Sequence, residues 1–178
     1  MPYFLISLLL SSLLVANELK LIDGFASAHT EVFGSSDINP LSTHITANVT
    51  YDATSKSLNG NITVHLDKFF SDHQGRDEHM YESMQRDLYP TINYHILSLK
   101  KSSHETYMLS GEMTLHGVTK RVNFTVNLTD TNRTLSIRGR GEIIMSDFKI
   151  KPPGLLFISV RDRVELFIKA RFEKIKLE

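Results

Sequence analysis

From residue 108 to 128 the chain alternates. Leu109, Met113 and Leu115 fall on one face of a first predicted strand, and Val122, Phe124, Val126 and Leu128 on one face of a second. Polar residues from Ser110 to Asn127 hold the opposite faces, and His116-Gly117-Val118-Thr119 joins the two strands. A period of two with one apolar and one polar face predicts an antiparallel hairpin, dry on one side and wet on the other. The same period returns over residues 43–52, 58–66, 91–100, 134–146 and 162–174. One passage breaks it: over residues 77–84, Met80 and Met84 stand four apart behind an acidic opening, which predicts a short helix. Tyr89-Pro90 stops that helix, because the residue before a proline disfavours helical backbone.

About eight alternating strands around one apolar face have two main solutions, a sandwich or a barrel closed on itself. Gly60, Gly111, Gly139 and Gly141 all fall in the inward phase. They bend the backbone at barrel corners, or they withhold side-chain volume and leave a tunnel; the two explanations are compatible. The pattern therefore predicts an all-β chain, an antiparallel barrel of about eight strands with one short helix. Its candidate cavity lining, read from phase, is Ile62, Val64, Tyr94, Leu109, Gly111 and Met113, then Phe124, Val126, Ile137, Gly139 and Phe148. Met80 and Met84 would serve as adaptable cover. On this reading Gly111→Leu or Gly139→Phe keeps the fold and abolishes ligand retention.

Composition narrows the function. A chain of 178 residues is long enough for one domain with a real core. Lys plus Arg equals Asp plus Glu, so no net field draws in nucleic acid. The chain has no cysteine, which excludes disulfides, thiolate nucleophiles and sulfur-ligated zinc. Residues 4–15 form an apolar and serine run too short to span a bilayer as a helix. The run reads as a signal-peptide core with cleavage near Ala16, leaving residues 17–178 as the mature domain. A retained anchor is the alternative, since no Lys or Arg precedes the run and Leu14 is a poor residue three before the cut.

The eight histidines invite a metal. By phase His44, His65 and His95 point away from the apolar face, and no paired ligand motif such as His-x-x-x-His occurs. His73, Asp77 and His79 form the close cluster that would serve a metal-dependent hydrolase or a metal-binding protein, the competing function. Arg76 is expected to pair with a carboxylate or carbonyl, or to meet a ligand head group, and Asp77 to cap the helix. No Gly-x-Ser-x-Gly elbow is present, so neither catalytic residues nor a cofactor are assigned. Asn132 lies in a turn within an acidic Asn-x-Thr acceptor pattern, which leaves glycosylation open. Residues 151–154, Lys-Pro-Pro-Gly, make a stiff arm whose apolar sequel lines the cavity mouth, completes the sheet or forms a dimer contact.

The order of several motifs resembles the YceI-like family of bacterial periplasmic, lipocalin-like proteins, often called polyisoprenoid-binding. The matching pieces are Ala28-His29-Thr30-Glu31-Val32-Phe33, Arg76-Asp77-Glu78-His79-Met80, and Tyr89-Pro90-Thr91-Ile92-Asn93-Tyr94. The hairpin Gly111-Glu112-Met113-Thr114-Leu115-His116-Gly117-Val118-Thr119-Lys120 and Ser146-Asp147-Phe148-Lys149 complete the series. Lys149 stands where the family usually has glycine, and His29-Thr30 where it has His-Ser. The resemblance implies a lipocalin-like barrel holding a long-chain apolar lipid: an isoprenoid, isoprenoid quinone or fatty-acid derivative. It implies a periplasmic or secreted binding protein rather than an enzyme. Homodimerisation and transient membrane contact for ligand exchange are further expectations.

Overall fold

The alternating segments become the staves of a closed barrel. The computed structural model describes residues 17–32, 36–155 and 158–175, so the leader, Phe33, Leu156 and Phe157 lie outside the described residues. In chain order the strands are β1 (Asn17–Val32), β2 (Ser36–Ile38), β3 (Leu41–Ser42), β4 (Ile45–Asp52) and β5 (Ser57–His65). After helix α1 (Gln74–Ser83) come β6 (Thr91–Lys101), β7 (Thr106–Leu115), β8 (Val118–Asp130) and β9 (Thr134–Ile144). The short β10 (Gly154–Leu155) and β11 (Ile158–Ser159) precede β12 (Arg163–Ile175).

Each of β4 to β9 pairs antiparallel with the next, β9 pairs with β12, and β12 pairs with β1. The wall closes where β1 also pairs with β4 through Asn17–Leu19. Eight strands therefore make the barrel, as the periodicity predicts. β2, β3 and the β10–β11 hairpin sit at one end, which α1 also covers.

Two local features explain where the sequence pattern blurs. β1 is the longest strand, and its alternation is hidden by a bulge between Leu21 and Asp23, which shifts the inward phase by one residue. The β7–β8 connection is a two-residue turn in which His116 (φ 52°) and Gly117 (φ 70°) are both left-handed, the geometry a twisted hairpin favours. A side chain at Gly117 would also strike the Tyr89 ring, 2.6 Å from its Cε1. Lys149 adopts φ 59°, so the family's usual glycine at this position has a steric reason: only glycine takes that backbone without strain.

The interior divides into two halves. At the end remote from α1 the inward side chains fill the barrel completely, with Tyr51, Leu58, Leu109, Val126, Leu135 and Phe172 each 1% exposed or less. That end is closed by a charged latch. The Tyr51 hydroxyl donates to Asp130 at 3.0 Å, Lys56 reaches the same carboxylate at 2.7 Å, and Lys174 bonds its other oxygen. Burial opposes the charge on Asp130, but the bonds from Lys174, Lys56 and Tyr51 outweigh it and hold the carboxyl below its ordinary range. Burial, then the Asp130 bond, pushes the Tyr51 phenol up to about 12.

Candidate functional site: an apolar chamber in one half of the barrel

The other half is hollow. A cavity of about 190 Å³ opens beneath α1, with walls almost entirely of carbon. Inward positions of β5 (Ile62, Val64), β6 (Ile92, Tyr94) and β7 (Met113, Leu115) make one side. Phe124 of β8, Ile143 of β9 and Val164, Leu166 and Ile168 of β12 make the other. Between them β1 offers only Ala26, Ser27, Ala28 and Thr30, and this small-residue stripe is where the barrel's centre goes unfilled.

Tyr94 is the floor. Its ring lies in the notch over Gly111, where an added Cβ would sit 2.7 Å from the phenol oxygen, 2.5 Å from the His95 carbonyl and inside contact with Cζ. The hydroxyl donates to the Val122 carbonyl at 3.0 Å and lies 3.4 Å from that of Leu109. Phe124 meets the ring edge-on, 5.3 Å between centroids at 88°. Burial pushes the Tyr94 phenol well above its ordinary range, so it stays neutral and keeps donating.

The roof is built from segments with little periodic signal. α1 is polar nearly all round; it lowers Met80, Ser83 and the capping Met84 onto the cavity, with Arg76 and Asp77 at the rim. Ile38 ends β2, Phe69 and Pro40 come from the loops beside α1, and Met145, Ile150, Pro153 and Val160 come from the segments before and after β10–β11. Pro153 of the double-proline arm lines the mouth, and its carbonyl accepts from Val160 N–H at 2.9 Å; the side chains of the apolar sequel, residues 155–158, lie outside the described residues. The polar groups at the rim are tied down. Arg76 donates to the Asp37 carbonyl at 3.1 Å, and the Thr30 hydroxyl lies 3.0 Å from both the Arg161 and Arg163 carbonyls. Asp77 is not the helix cap. Its residue lies within the helix, and its carboxylate accepts the Ser71 N–H at 2.8 Å, so it ties the preceding loop down instead.

Of the predicted lining residues, Ile62, Val64, Met80, Met84, Tyr94, Met113 and Phe124 do face this cavity. Leu109, Val126 and Ile137 are buried in the filled half, and Phe148 packs in the 3-10 turn Met145–Phe148, where its carbonyl accepts from His116 Nδ1 at 3.0 Å. Gly111 and Gly139 leave no space, a correction to the reading of inward glycines as vacancies. The first houses Tyr94. The second is flanked by Val126 and Ile168, whose atoms would lie 2.8 and 2.9 Å from an added Cβ. A residue pairing with glycine on a neighbouring strand leans over the missing side chain and fills the gap. Ala26 and Ala28 were missed because β1's bulge hides its phase. Phe69 and Pro153 lie in segments where no period exists to read, whereas Met145 falls in the inward phase of residues 134–146 and phase alone does not single it out as lining.

A second hollow lies outside the barrel between α1 and residues 70–72. It is larger, about 1010 Å³, but open and rimmed by Asp72, Glu78, Glu82 and Asp87, so it does not enclose an apolar molecule. His73, Asp77 and His79 do not converge. Asp77 and His79 are two apart on one helix and so face different ways, and His79 lies beside Glu82 in solvent. Among the described residues a different trio comes together: His29, Glu31 and Asp37 place one ligand atom each within 4.8 Å of one another. They are brought there by β1 alternation and the Glu31–Asp37 register of β1 with β2. Arg161 stands 3.8 Å from the Glu31 carboxylate, and a hydrogen bond to Asn39 raises the His29 pKa. His44, His65 and His95 are exposed, as phase predicts, and Asn132 is exposed between β8 and β9.

Residues 23–172 match the YceI-like domain family. A UPF0312 protein of Pseudomonas savastanoi pv. phaseolicola is 26% identical over 102 residues, covering 53% of each chain, so the chain spans about half the length of the curated relatives it matches. Among solved structures, Burkholderia cenocepacia BcnA superposes with TM-score 0.73 at 15% identity, covering 83% of this chain and 95% of that one. A Campylobacter jejuni YCEI protein gives 0.66 at 19%, covering 81% and 89%. A polyisoprenoid binding domain from Saccharophagus degradans, implicated in plant cell wall breakdown, gives 0.68 at 10%, covering 90% and 99%. With a closed lipocalin-like barrel and a family match along most of its length, the chain belongs to the YceI-like family.

Proposed function

We propose that this protein is an exported, non-catalytic binding protein that sequesters or carries an apolar lipid of the isoprenoid, isoprenoid-quinone or fatty-acid class in the mouth half of its barrel. The observation that carries the reading is the chamber itself: a carbon-walled, partly open space roofed by α1, its polar rim already hydrogen-bonded. Such a space favours apolar matter, since each methylene moved out of water contributes about 0.8 kcal/mol. The polyisoprenoid binding domain of Saccharophagus degradans, which shares the fold, supports the ligand class. Residues 1–16 act as the export signal, and the protein works in the periplasm or outside the cell. Ligand exchange involves transient membrane contact, and the protein works as a homodimer.

Native mass spectrometry of the purified full chain tests the reading, with solvent extraction alongside. The expected result is a stoichiometric apolar adduct that is released by organic solvent and rebinds to stripped protein. Protein that carries and accepts no apolar molecule, or that carries stoichiometric metal instead, overturns it.

A further inference from the structure

We propose that Tyr94 ends the ligand chamber and sets the length of chain the barrel can enclose, at about eight carbons. The inference rests on the apolar-ligand reading and adds a limit to it. An apolar cavity of about 150 Å³ takes one benzene ring; by proportion, the 190 Å³ here takes about eight carbons. The limit is built into the wall. Inward positions alternate along each stave, and on β6 Ile92 and Tyr94 face the chamber while Ile96, two residues on, is 2% exposed and packed in the filled half. Leu109 on β7 and Val126 on β8 are likewise sealed, at 1% and 0%.

The floor is fixed, not a loose side chain that an arriving ligand pushes aside. Swinging the ring out would empty the Gly111 notch, strip the hydroxyl from the Val122 carbonyl and undo the edge contact with Phe124. Buried polar groups left without partners and unfilled core space both oppose that motion. A longer chain therefore leaves through the mouth past Met80 and Met84, and its outer carbons stay in contact with water.

Affinity should then depend on chain length in two stages. Each enclosed methylene strengthens binding about fourfold, and each further one adds little. Titration calorimetry of the full chain with straight-chain fatty acids from about six to about sixteen carbons, each below its self-association concentration, reads this directly. The expected result is a Kd that falls to about eight carbons and then levels. Tyr94→Ala, which removes the floor, moves the break to longer chains by several carbons. Tyr94→Phe, which keeps the ring and loses only the hydroxyl, leaves it in place. If Tyr94→Ala does not fold, Tyr94→Leu replaces it with the same expected direction. A wild-type Kd that keeps falling to the longest acid overturns the proposal, as does an unmoved break in the shortened-floor variant. Failure of the wild type to bind any acid overturns the apolar-ligand reading itself, a result distinct from an unmoved break.

Discussion

Above and below Tyr94 the same staves run with the same alternation, yet they enclose different things. Below it, β4 and β12 bring Tyr51 and Phe172 into a centre that β7, β8 and β9 fill with Leu109, Val126 and Leu135. Above it, the stave facing β6 and β7 is β1, which brings Ala26 and Ala28. Aliphatic side chains line both halves; what separates them is the large residues missing from one stave. A hollow chamber can thus be made in a barrel without weakening its core, provided the solid half supplies the stability that the hollow half gives up. The charged latch at the solid end, with Lys56 and Lys174 over the Tyr51 ring at 5.8 and 5.5 Å, reinforces that division.

The sharpest way to break this contrast is Gly111→Leu. Were inward glycines vacancies, the variant would fold normally and only lose ligand. With the Tyr94 ring and the His95 carbonyl already in that space, it should lose about 4 kcal/mol or fail to fold. A denaturant midpoint close to wild type would show that the notch is open after all.

A matched pair measures the two halves with the same chemistry. Leu135→Ala in the solid half should cost about 4 kcal/mol, because its close-packed neighbours cannot collapse into the hole. Leu166→Ala on the chamber wall should cost about 2 kcal/mol, since its side chain already borders empty space. Equal losses in urea unfolding would mean that the halves are packed alike.

The latch makes the smallest and most conditional contribution. Because the folded state holds the Asp130 carboxyl below its ordinary pKa, the latch contributes fully above the ordinary carboxylate range and fades as pH falls through the lowered folded value. Asp130→Asn should remove about 1–2 kcal/mol at neutral pH, less being expected for a wholly exposed pair, and should flatten the acid limb of stability. Parallel acid limbs for wild type and variant, in melts from neutral to strongly acidic pH, would dissociate the latch from acid stability.

Much of the architecture is legible in the chain. Strict alternation over six segments locates most of the staves, and the turn residues His116-Gly117 place the central hairpin. The helix is legible too, but its start is not: it begins at Gln74, because Asp77 serves the loop before it and leaves the cap to His73. The site is only half legible. Phase tells which residues point inward, and so finds Ile62, Val64, Tyr94, Met113 and Phe124. It does not tell at what height along the axis each one lies, and so mixes chamber residues with Leu109, Val126 and Ile137 from the solid half.

The sequence alone determined the all-β class, the inward face of most staves and the apolar character of that face, because a period of two is a property of each strand by itself. The tertiary structure decided that Tyr94 lies down over Gly111, that Val126 and Ile168 crowd Gly139, and that Ala26 and Ala28 leave the chamber open. Whether a missing side chain becomes a void depends on which neighbours across the sheet can reach it, and that depends on register and packing between strands far apart in the chain.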